Sequence, residues 1–285
     1  MKIINYFTAI LLLLLFSCSS DNGETVNETS STTFMMDVTW KGNIYHVKST
    51  YDKEGNLVYL DDSFLSIYNN EILKNDSIIT YDAGEKKLAY YTSVDEMMHN
   101  LGLRFLDVDS LTLSSSGTGK MTRTISSDAY AGRATLYQHL NYLGQVLELG
   151  AQYTKFRTIP VMSREVPGID WNDKASSIIV YSNIPLNDSV YANWSDINLQ
   201  YESVSPVDYA TMGNTKYATN DLRVVFLGYE HKNYGGDVMC IVPDNCSAKQ
   251  HNRLGEINWN DRMSSCTLRL AIKDLYSDSP SDIFK

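Results

Sequence analysis

The chain has few of the residues on which zinc sites and many catalytic centres depend. Its 285 residues include only 4 cysteines and 5 histidines. It contains no nucleophile elbow, phosphate-binding loop, His-Glu-x-x-His sequence or dinucleotide-binding glycine pattern. We therefore predict that the protein is not an enzyme, with no catalytic residues.

Positive charge is also in deficit. Lysine and arginine together number 24 against 34 aspartates and glutamates, which gives a net charge of −10 and a pI near 4.9. Such a chain repels nucleic acid and anionic membrane surfaces, so we expect no nucleic-acid partner. The acidity suits solubility outside the cell and modestly favours cations, but it does not define a site.

A long apolar run is found only near the N-terminus. Residues 10–16 are apolar and follow Lys2, and the run is too short to span a bilayer as a mature helix. Residues 1–17 are therefore predicted to be a signal peptide. The sequence Leu-Phe-Ser-Cys at 15–18 resembles the bacterial lipobox, which implies lipidation at Cys18; a signal peptide with an incidental cysteine is the alternative.

The lipobox is followed by a segment that cannot bury enough apolar surface to fold. Residues 18–33 are polar and acidic, so they are predicted to form a tether behind the lipidated cysteine. Their acidic Ser-Ser-Asp sequence is similar to the export tags of Bacteroidetes surface lipoproteins. This resemblance implies a lipid anchor in the outer membrane and a position at the cell surface.

Three cysteines remain in a compartment that permits disulfides. Cys240 and Cys246 flank one loop and are the favoured disulfide pair, which leaves Cys266 as a buried thiol. The odd number keeps other pairings open.

The most informative feature is an internal duplication. Residues 171–177 are Trp-Asn-Asp-Lys-Ala-Ser-Ser, and residues 259–265 are Trp-Asn-Asp-Arg-Met-Ser-Ser. Each copy is preceded by a segment, 137–147 or 229–239, in which Tyr, His, Asn, Tyr, Gly and Val recur in register. Two matching blocks in the same order indicate a repeated structural unit.

Each copy predicts four short antiparallel strands. In the first copy, three of the four are strand-like segments at 134–137, 146–149 and 178–181, separated by turn residues, and the second copy matches them. Four such strands per copy favour an antiparallel Greek key. The recurring His139 and His231 are interpreted as inherited from one duplicated hairpin, without a catalytic role.

The pattern Tyr-x-x-x-x-Tyr-x-Gly followed by Asn-Asp-x-x-Ser-Ser resembles the βγ-crystallin Greek-key motif in its calcium-binding, microbial form. The resemblance covers roughly residues 130–274 and implies a mainly β fold. Two motifs would pair into one β-sandwich over residues 129–275. Residues 183–221 depart from the family, because they form an insertion far longer than its usual linker.

The resemblance implies that the sandwich binds two calcium ions. Carboxylates, amides, hydroxyls and carbonyls are the oxygen ligands that calcium prefers, and neither loop has the Cys or His expected of zinc or copper. The implied metal residues are Asn172, Asp173, Lys174, Ser176, Asn260, Asp261, Arg262, Ser264, Gln138 and Glu230.

Within that set the roles differ. Lys174 and Arg262 would contribute only backbone carbonyls, since their side chains have no acceptor. The family commonly lends the hairpin carbonyl, here that of Gln138 or Glu230, to the partner motif's site. Ser177 and Ser265 are expected to hold the turn. A single such loop would be ordinary turn chemistry, and a family domain that has lost calcium affinity is the alternative.

The part before the repeat shows different patterning. Within residues 34–114, residues 36–47 alternate apolar and polar positions around Lys41-Gly42-Asn43, which predicts a hairpin. Ser93 begins a capping box before a short helix. We expect a small α+β domain of unknown role there. A Ser/Gly-rich linker would follow at 115–128, and a tail at 276–285.

Together these patterns predict a cell-surface lipoprotein with a calcium-stabilised structural or binding module. One alternative is an inhibitor or toxin-like effector that acts on an extracellular protein through the 183–221 insertion. Another is a glycan-binding accessory protein, in which insertion aromatics such as Tyr191 and Trp194 contact a sugar.

Overall fold

The structure is a computed structural model of the whole chain. It describes residues 32–106, 111–114, 130–152, 156–165, 169–184, 190–195, 198–203, 209–212, 215–218 and 221–273. The predicted signal peptide, Cys18, residues 18–31 of the tether, the linker at 115–128 and the tail at 276–285 lie outside these ranges. Among the described residues, no helix is long and apolar enough to cross a membrane.

The N-terminal part combines short strands with two helices. Its elements are β1 (Phe34–Trp40), β2 (Asn43–Tyr51), β3 (Leu57–Tyr59), α1 (Asp62–Ile67), a π-helical turn (Tyr68–Ile72), β4 (Ile79–Gly84), β5 (Lys87–Tyr91), α2 (Val94–Asn100), β6 (Leu103–Phe105) and β7 (Leu111–Ser114). The predicted hairpin turns at Lys41 and Gly42, and the Ser93 hydroxyl accepts the Glu96 N–H at the start of α2, as its sequence predicts.

The duplicated part contains two sets of four strands. The first motif consists of β8 (Tyr130–His139), β9 (Leu143–Gln152), β10 (Arg157–Ile159) and β11 (Ser177–Ser182). The insertion contains β12 (Val190–Ser195), β13 (Asn198–Ser203), β14 (Tyr209–Met212) and β15 (Thr215–Ala218), and β14 pairs with β7. The second motif consists of β16 (Leu222–His231), β17 (Gly235–Ile241), β18 (Ala248–His251) and β19 (Ser265–Lys273).

The strand order confirms the two-motif Greek-key sandwich. One sheet has the order β18-β11-β8-β9, and the other contains β10-β19-β16-β17. Each sheet therefore combines three strands of one motif with the third strand of the other. Leu136 and Val180 of the first sheet share one buried core with Phe226 and Leu268 of the second. The exchange of third strands makes the two motifs interdependent.

The duplication extends to the backbone conformation. Four pairs of equivalent residues have positive φ: Asn141 and Asn233, Tyr142 and Tyr234, Gly144 and Gly236, and Asp173 and Asp261. The tyrosine rings of each hairpin pack edge to face, with centroids 5.5 Å apart for Tyr137–Tyr142 and 5.3 Å for Tyr229–Tyr234. The two hairpins are therefore copies in geometry as well as in sequence.

The recurring histidines pack against the hairpin glycines. Gly236 has φ +74, and a Cβ there would lie 2.9 Å from Cδ2 of His231. At Gly144 the same construction places a Cβ 2.6 Å from Cδ2 of His139. Glycine is required at both positions by conformation and by space.

Gly236→Ala is expected to lower the free energy of unfolding by about 1–3 kcal/mol, because alanine is strained at positive φ and its methyl meets His231. Gly235→Ala is the matched control, since its Cβ would meet nothing closer than 3.6 Å and φ is −102. Urea denaturation of both variants measures the difference. Equal losses at the two neighbouring glycines would show that the hairpin conformation is not the cause.

The N-terminal strands join the sheet of the second motif, although they precede the expected division at 115–128. β4 pairs in parallel with β17 and β6 pairs with β19, so the sheet continues β17-β4-β5-β1-β2-β3 and has ten strands. The described residues from Thr32 onward form one compact unit. β17 would otherwise be an exposed edge strand, and pairing with β4 covers that edge.

The predicted Cys240–Cys246 disulfide is not formed in the structure. Cys240 is buried with Ile79 and Leu227 on one face of the large sheet. Cys246 lies in the turn after β17, where its N–H donates to the carbonyl of Ile184, a residue of the core on the opposite face. Cys266 is buried as expected, and burial raises the pKa of the Cys240 and Cys266 thiols far above the usual value.

Candidate functional site

Each Asn-Asp-x-x-Ser-Ser loop forms an arch that is held to the hairpin of its own motif. The first arch is residues 171–177 and the second is residues 259–265. The Ser177 hydroxyl donates to the His139 carbonyl at 2.7 Å and accepts the Tyr142 N–H at 3.1 Å. Ser265 repeats both contacts with His231 and Tyr234, at 2.6 and 3.0 Å. The last serine of each arch therefore holds the turn, as the sequence predicts.

The two arches cross, and each supplies an aspartate to the other. The Ser176 hydroxyl donates to Oδ1 of Asp261, and the Ser264 hydroxyl donates to Oδ1 of Asp173, both at 2.9 Å. Backbone bonds fix the crossing, with the Asp173 N–H on the Met263 carbonyl at 3.0 Å and the Asp261 N–H on the Ala175 carbonyl at 3.2 Å. A serine from one motif and an aspartate from the other thus meet at both places.

The backbone carbonyl of Gln138, in the β8–β9 hairpin, also contacts the Ser176–Asp261 pair. The Gln138 carbonyl oxygen lies 2.9 Å from the Ser176 hydroxyl, whose single proton is shared between this carbonyl and Asp261. We define the first cluster as Gln138, Ser176 and Asp261, and the second cluster as Ser264 and Asp173. The Gln138 carbonyl thus contacts Ser176 of its own arch, and Ser176 in turn contacts Asp261 of the partner arch. The residue that crosses between the motifs is the aspartate.

Each cluster lies at the protein surface, with its serine buried and its aspartate exposed. Ser176 and Ser264 are 7% and 5% exposed, whereas Asp173 and Asp261 are exposed to solvent. A small hard cation would therefore find a fixed hydroxyl below and a carboxylate at the solvent edge. The oxygen-only chemistry of these contacts fits calcium.

Both arches bury an acceptor that has no hydrogen-bond partner. These atoms are Oδ1 of Asn172 and Oδ1 of Asn260, at equivalent positions. Each amide nitrogen donates to the aspartate that follows it, at 2.9 Å for Asn260 to Asp261. Buried acceptors are normally satisfied, and a cation or an ordered water is the usual partner when no protein group is. The residues present therefore fit a bound cation.

Arg262, the fourth residue of the second arch, makes an ionic network instead of contacting the cluster. Arg262 donates through Nη2 to Glu230 at 3.1 Å and to Asp237 at 2.8 Å. Burial alone would raise the pKa of Glu230, but the hydrogen bond and charge of Arg262 hold that pKa below its usual value. Because the Glu230 carboxylate binds Arg262, only the backbone carbonyls of these two residues remain for a cation. The sequence predicts this for Arg262. Lys174 of the first arch is half-buried.

Asp237 connects this network to the N-terminal strands, a role that the sequence reasoning did not find. Its Oδ1 accepts the Ile78 N–H at 2.9 Å, and the Ser77 hydroxyl donates to the Gly236 carbonyl at 2.7 Å. The sequence does contain one indication of this role, because Asp237 is not shared by the two copies. The equivalent residue of the first motif is Gln145.

The described part of the chain contains no group of three or more His, Cys, Asp or Glu side chains able to hold a metal. The two clusters have one carboxylate each and rely on hydroxyl, amide and carbonyl oxygens. Such a donor set suits calcium in an extracellular setting better than it suits a transition metal.

Comparison with known proteins finds similar solved structures. A βγ-crystallin from an archaeon is 18% identical, with 48% of this chain and 95% of that chain covered and a TM-score of 0.26. A structure described under the evolution of the eye lens βγ-crystallin domain fold is also 18% identical, with 57% and 98% covered and a TM-score of 0.26. No protein-family model and no curated protein matches the chain.

Proposed function

We propose that this protein is a lipid-anchored cell-surface module, without catalytic activity, whose sandwich binds two calcium ions. The observation that carries the proposal is the crossing of the arches, which places Ser176 on Asp261 and Ser264 on Asp173. The residues that would hold the ions are Gln138, Ser176 and Asp261 in the first cluster and Ser264 and Asp173 in the second, with Asn172 and Asn260 beside them.

Calcium at these clusters would act as a structural cross-link. Each ion would tie a loop of one motif to an aspartate of the other, and those groups come together only in the folded state. Binding to the folded state alone stabilises a protein by mass action. Extracellular calcium sites commonly have affinities of order 10⁻⁴–10⁻³ M. The lipobox that ends at Cys18 supports such a location, because calcium is abundant outside the cell.

A calcium titration of the purified protein tests this function. Calorimetry is expected to show two ions bound per chain, and the melting temperature is expected to rise with calcium. At a concentration 100 times the dissociation constant, each site would add about 2.7 kcal/mol to the free energy of unfolding. Magnesium is the control, since it demands shorter octahedral geometry and should shift the melting temperature less. No heat and no shift in millimolar calcium would refute the proposal.

A further inference from the structure

A cleft of about 420 Å³ lies where the N-terminal strands meet the sandwich. One wall is the β4–β5 hairpin, from Asp82 to Leu88, and the opposite wall is β18 with the turn that contains Glu256. Its volume lies in the range of about 300–1,000 Å³ that is common for small-molecule sites.

The floor of the cleft is a buried ionic cluster. The Asp82 side chain is 4% exposed, and its Oδ2 lies 2.9 Å from Nζ of Lys249 and 3.0 Å from Nε2 of His251. The other oxygen accepts the Gly84 N–H at 3.0 Å. Burial would raise the pKa of Asp82, but His251 and Lys249 hold it below the usual value, so the carboxylate stays charged. This cluster fixes both β18 side chains before any ligand arrives.

Two side chains that line the cleft, Glu256 and Tyr51, do not belong to this ionic cluster. Glu256 is half-buried, and no ion pair is found for its carboxylate in the described ranges. Burial raises the pKa of Glu256, which His251 and Arg253 only partly oppose. Tyr51 is 37% exposed, and its ring is held by Phe34 at a centroid distance of 4.8 Å. A carboxylate and an aromatic face are therefore available to a ligand.

Charge in the cleft is balanced. The lining includes three lysines (Lys86, Lys87 and Lys249) and three carboxylates (Asp82, Glu85 and Glu256). Because the charges of these six side chains cancel, they favour neither an anionic nor a cationic ligand. The same side chains provide both hydrogen-bond donors and acceptors, a mixture that matches hydroxyl groups, which donate and accept.

We infer that this cleft binds a neutral polyhydroxylated ligand, a mono- or oligosaccharide. Tyr51 would stack on the apolar face of a sugar ring, and Glu256 and Lys87 would hydrogen-bond its hydroxyls. The site differs from the insertion aromatics considered from the sequence, and it does not depend on calcium. It exists only because β4 and β5 dock onto the sandwich.

The test begins with the full-length purified protein on an array of neutral and charged glycans, followed by calorimetry with the neutral sugars that bind. Glu256→Gln and Lys87→Ala are each expected to weaken binding about tenfold, the effect of one lost hydrogen bond to a charged group. Glu54→Gln and Lys48→Ala are matched controls, because both residues are exposed and do not line the cleft. Both controls are expected to bind as the native protein does.

Stability separates a binding role from a structural one. Glu256→Gln removes a charge that burial disfavours, so its melting temperature at neutral pH is expected to equal or exceed that of the native protein while affinity falls. Lys87 is exposed, so Lys87→Ala is expected to fold normally. The inference is overturned if no neutral glycan binds, if only charged glycans or amino acids bind, or if the cleft variants bind neutral sugars as tightly as the controls.

Discussion

Asp82→Ala is expected to lower the free energy of unfolding by about 3 kcal/mol, a large part of the stability of a typical domain. The substitution removes the carboxylate on which Lys249 and His251 both depend, at 2.9 and 3.0 Å. It leaves the largely buried Lys249 ammonium, 23% exposed, without its counter-charge. Breaking a buried pair from one side is costly because the remaining charge has lost its compensation. Urea denaturation at pH 7 measures the change.

Two variants show whether burial is the cause. Asp82→Asn keeps the shape and an acceptor, so it should cost less than the alanine variant. Glu85→Ala breaks the exposed pair with Lys86, whose atoms are 4.0 Å apart, and should cost less than about 0.5 kcal/mol. If Asp82→Ala costs no more than Glu85→Ala, the cluster does not hold the N-terminal strands on the sandwich.

The same carboxylate gives the protein a defined acid response. Because the folded pKa of Asp82 is below its unfolded value, the folded state binds fewer protons there. The contribution of Asp82 to the free energy of unfolding is fully present above the unfolded-state pKa of about 3.9. It is lost as the pH falls toward the pKa of Asp82 in the folded state. The stability of Asp82→Asn is therefore expected to decline less steeply than that of the native protein below about pH 4. If the native protein and Asp82→Asn lose stability equally steeply below about pH 4, Asp82 is not the cause of the acid response.

The sandwich could be predicted from the sequence because its signals are local and occur twice. The Asn-Asp-x-x-Ser-Ser loops, the hairpin glycines and the strand patterns all lie within one motif, and the motif is repeated. The docking of the N-terminal strands could not be predicted in the same way. The parallel pairing of Ile79 with Val238 and the contact of Asp82 with His251 join residues far apart in sequence. No local pattern specifies such pairs, so residues 34–114 looked like an independent domain.

The sequence predicts the residues of the candidate site but not the contacts between them. Residue types predict Ser176 and Asp173 as oxygen ligands, because both stand in a turn whose oxygen atoms suit calcium. They do not show which motif each side chain serves, since that depends on how the two arches pack. The structure puts both Asp261 and the Gln138 carbonyl beside the Ser176 hydroxyl. The exchange of aspartates emerges only from the tertiary structure.

Double substitutions at the arches are expected to show that each calcium site is shared between the motifs. Asp173→Gly and Ser264→Ala remove two ligands of one cluster, so each variant, and the two combined, should retain one bound calcium. Combining Asp173→Gly with Ser176→Ala damages both clusters and should abolish binding. Glycine is used because Asp173 has φ 52, where alanine would add backbone strain. Calorimetric stoichiometry distinguishes the combinations.

The reverse pattern would show that each aspartate serves its own arch. In that case Asp173→Gly with Ser176→Ala would retain one calcium, and Asp173→Gly with Ser264→Ala would retain none. Lys174→Ala is the control, because its side chain has no acceptor for a cation and both sites should persist. The shared geometry also predicts coupling between binding and assembly of the sandwich. A calcium ion held by Ser176 and Asp261 joins the two motifs, and its loss should destabilise both equally.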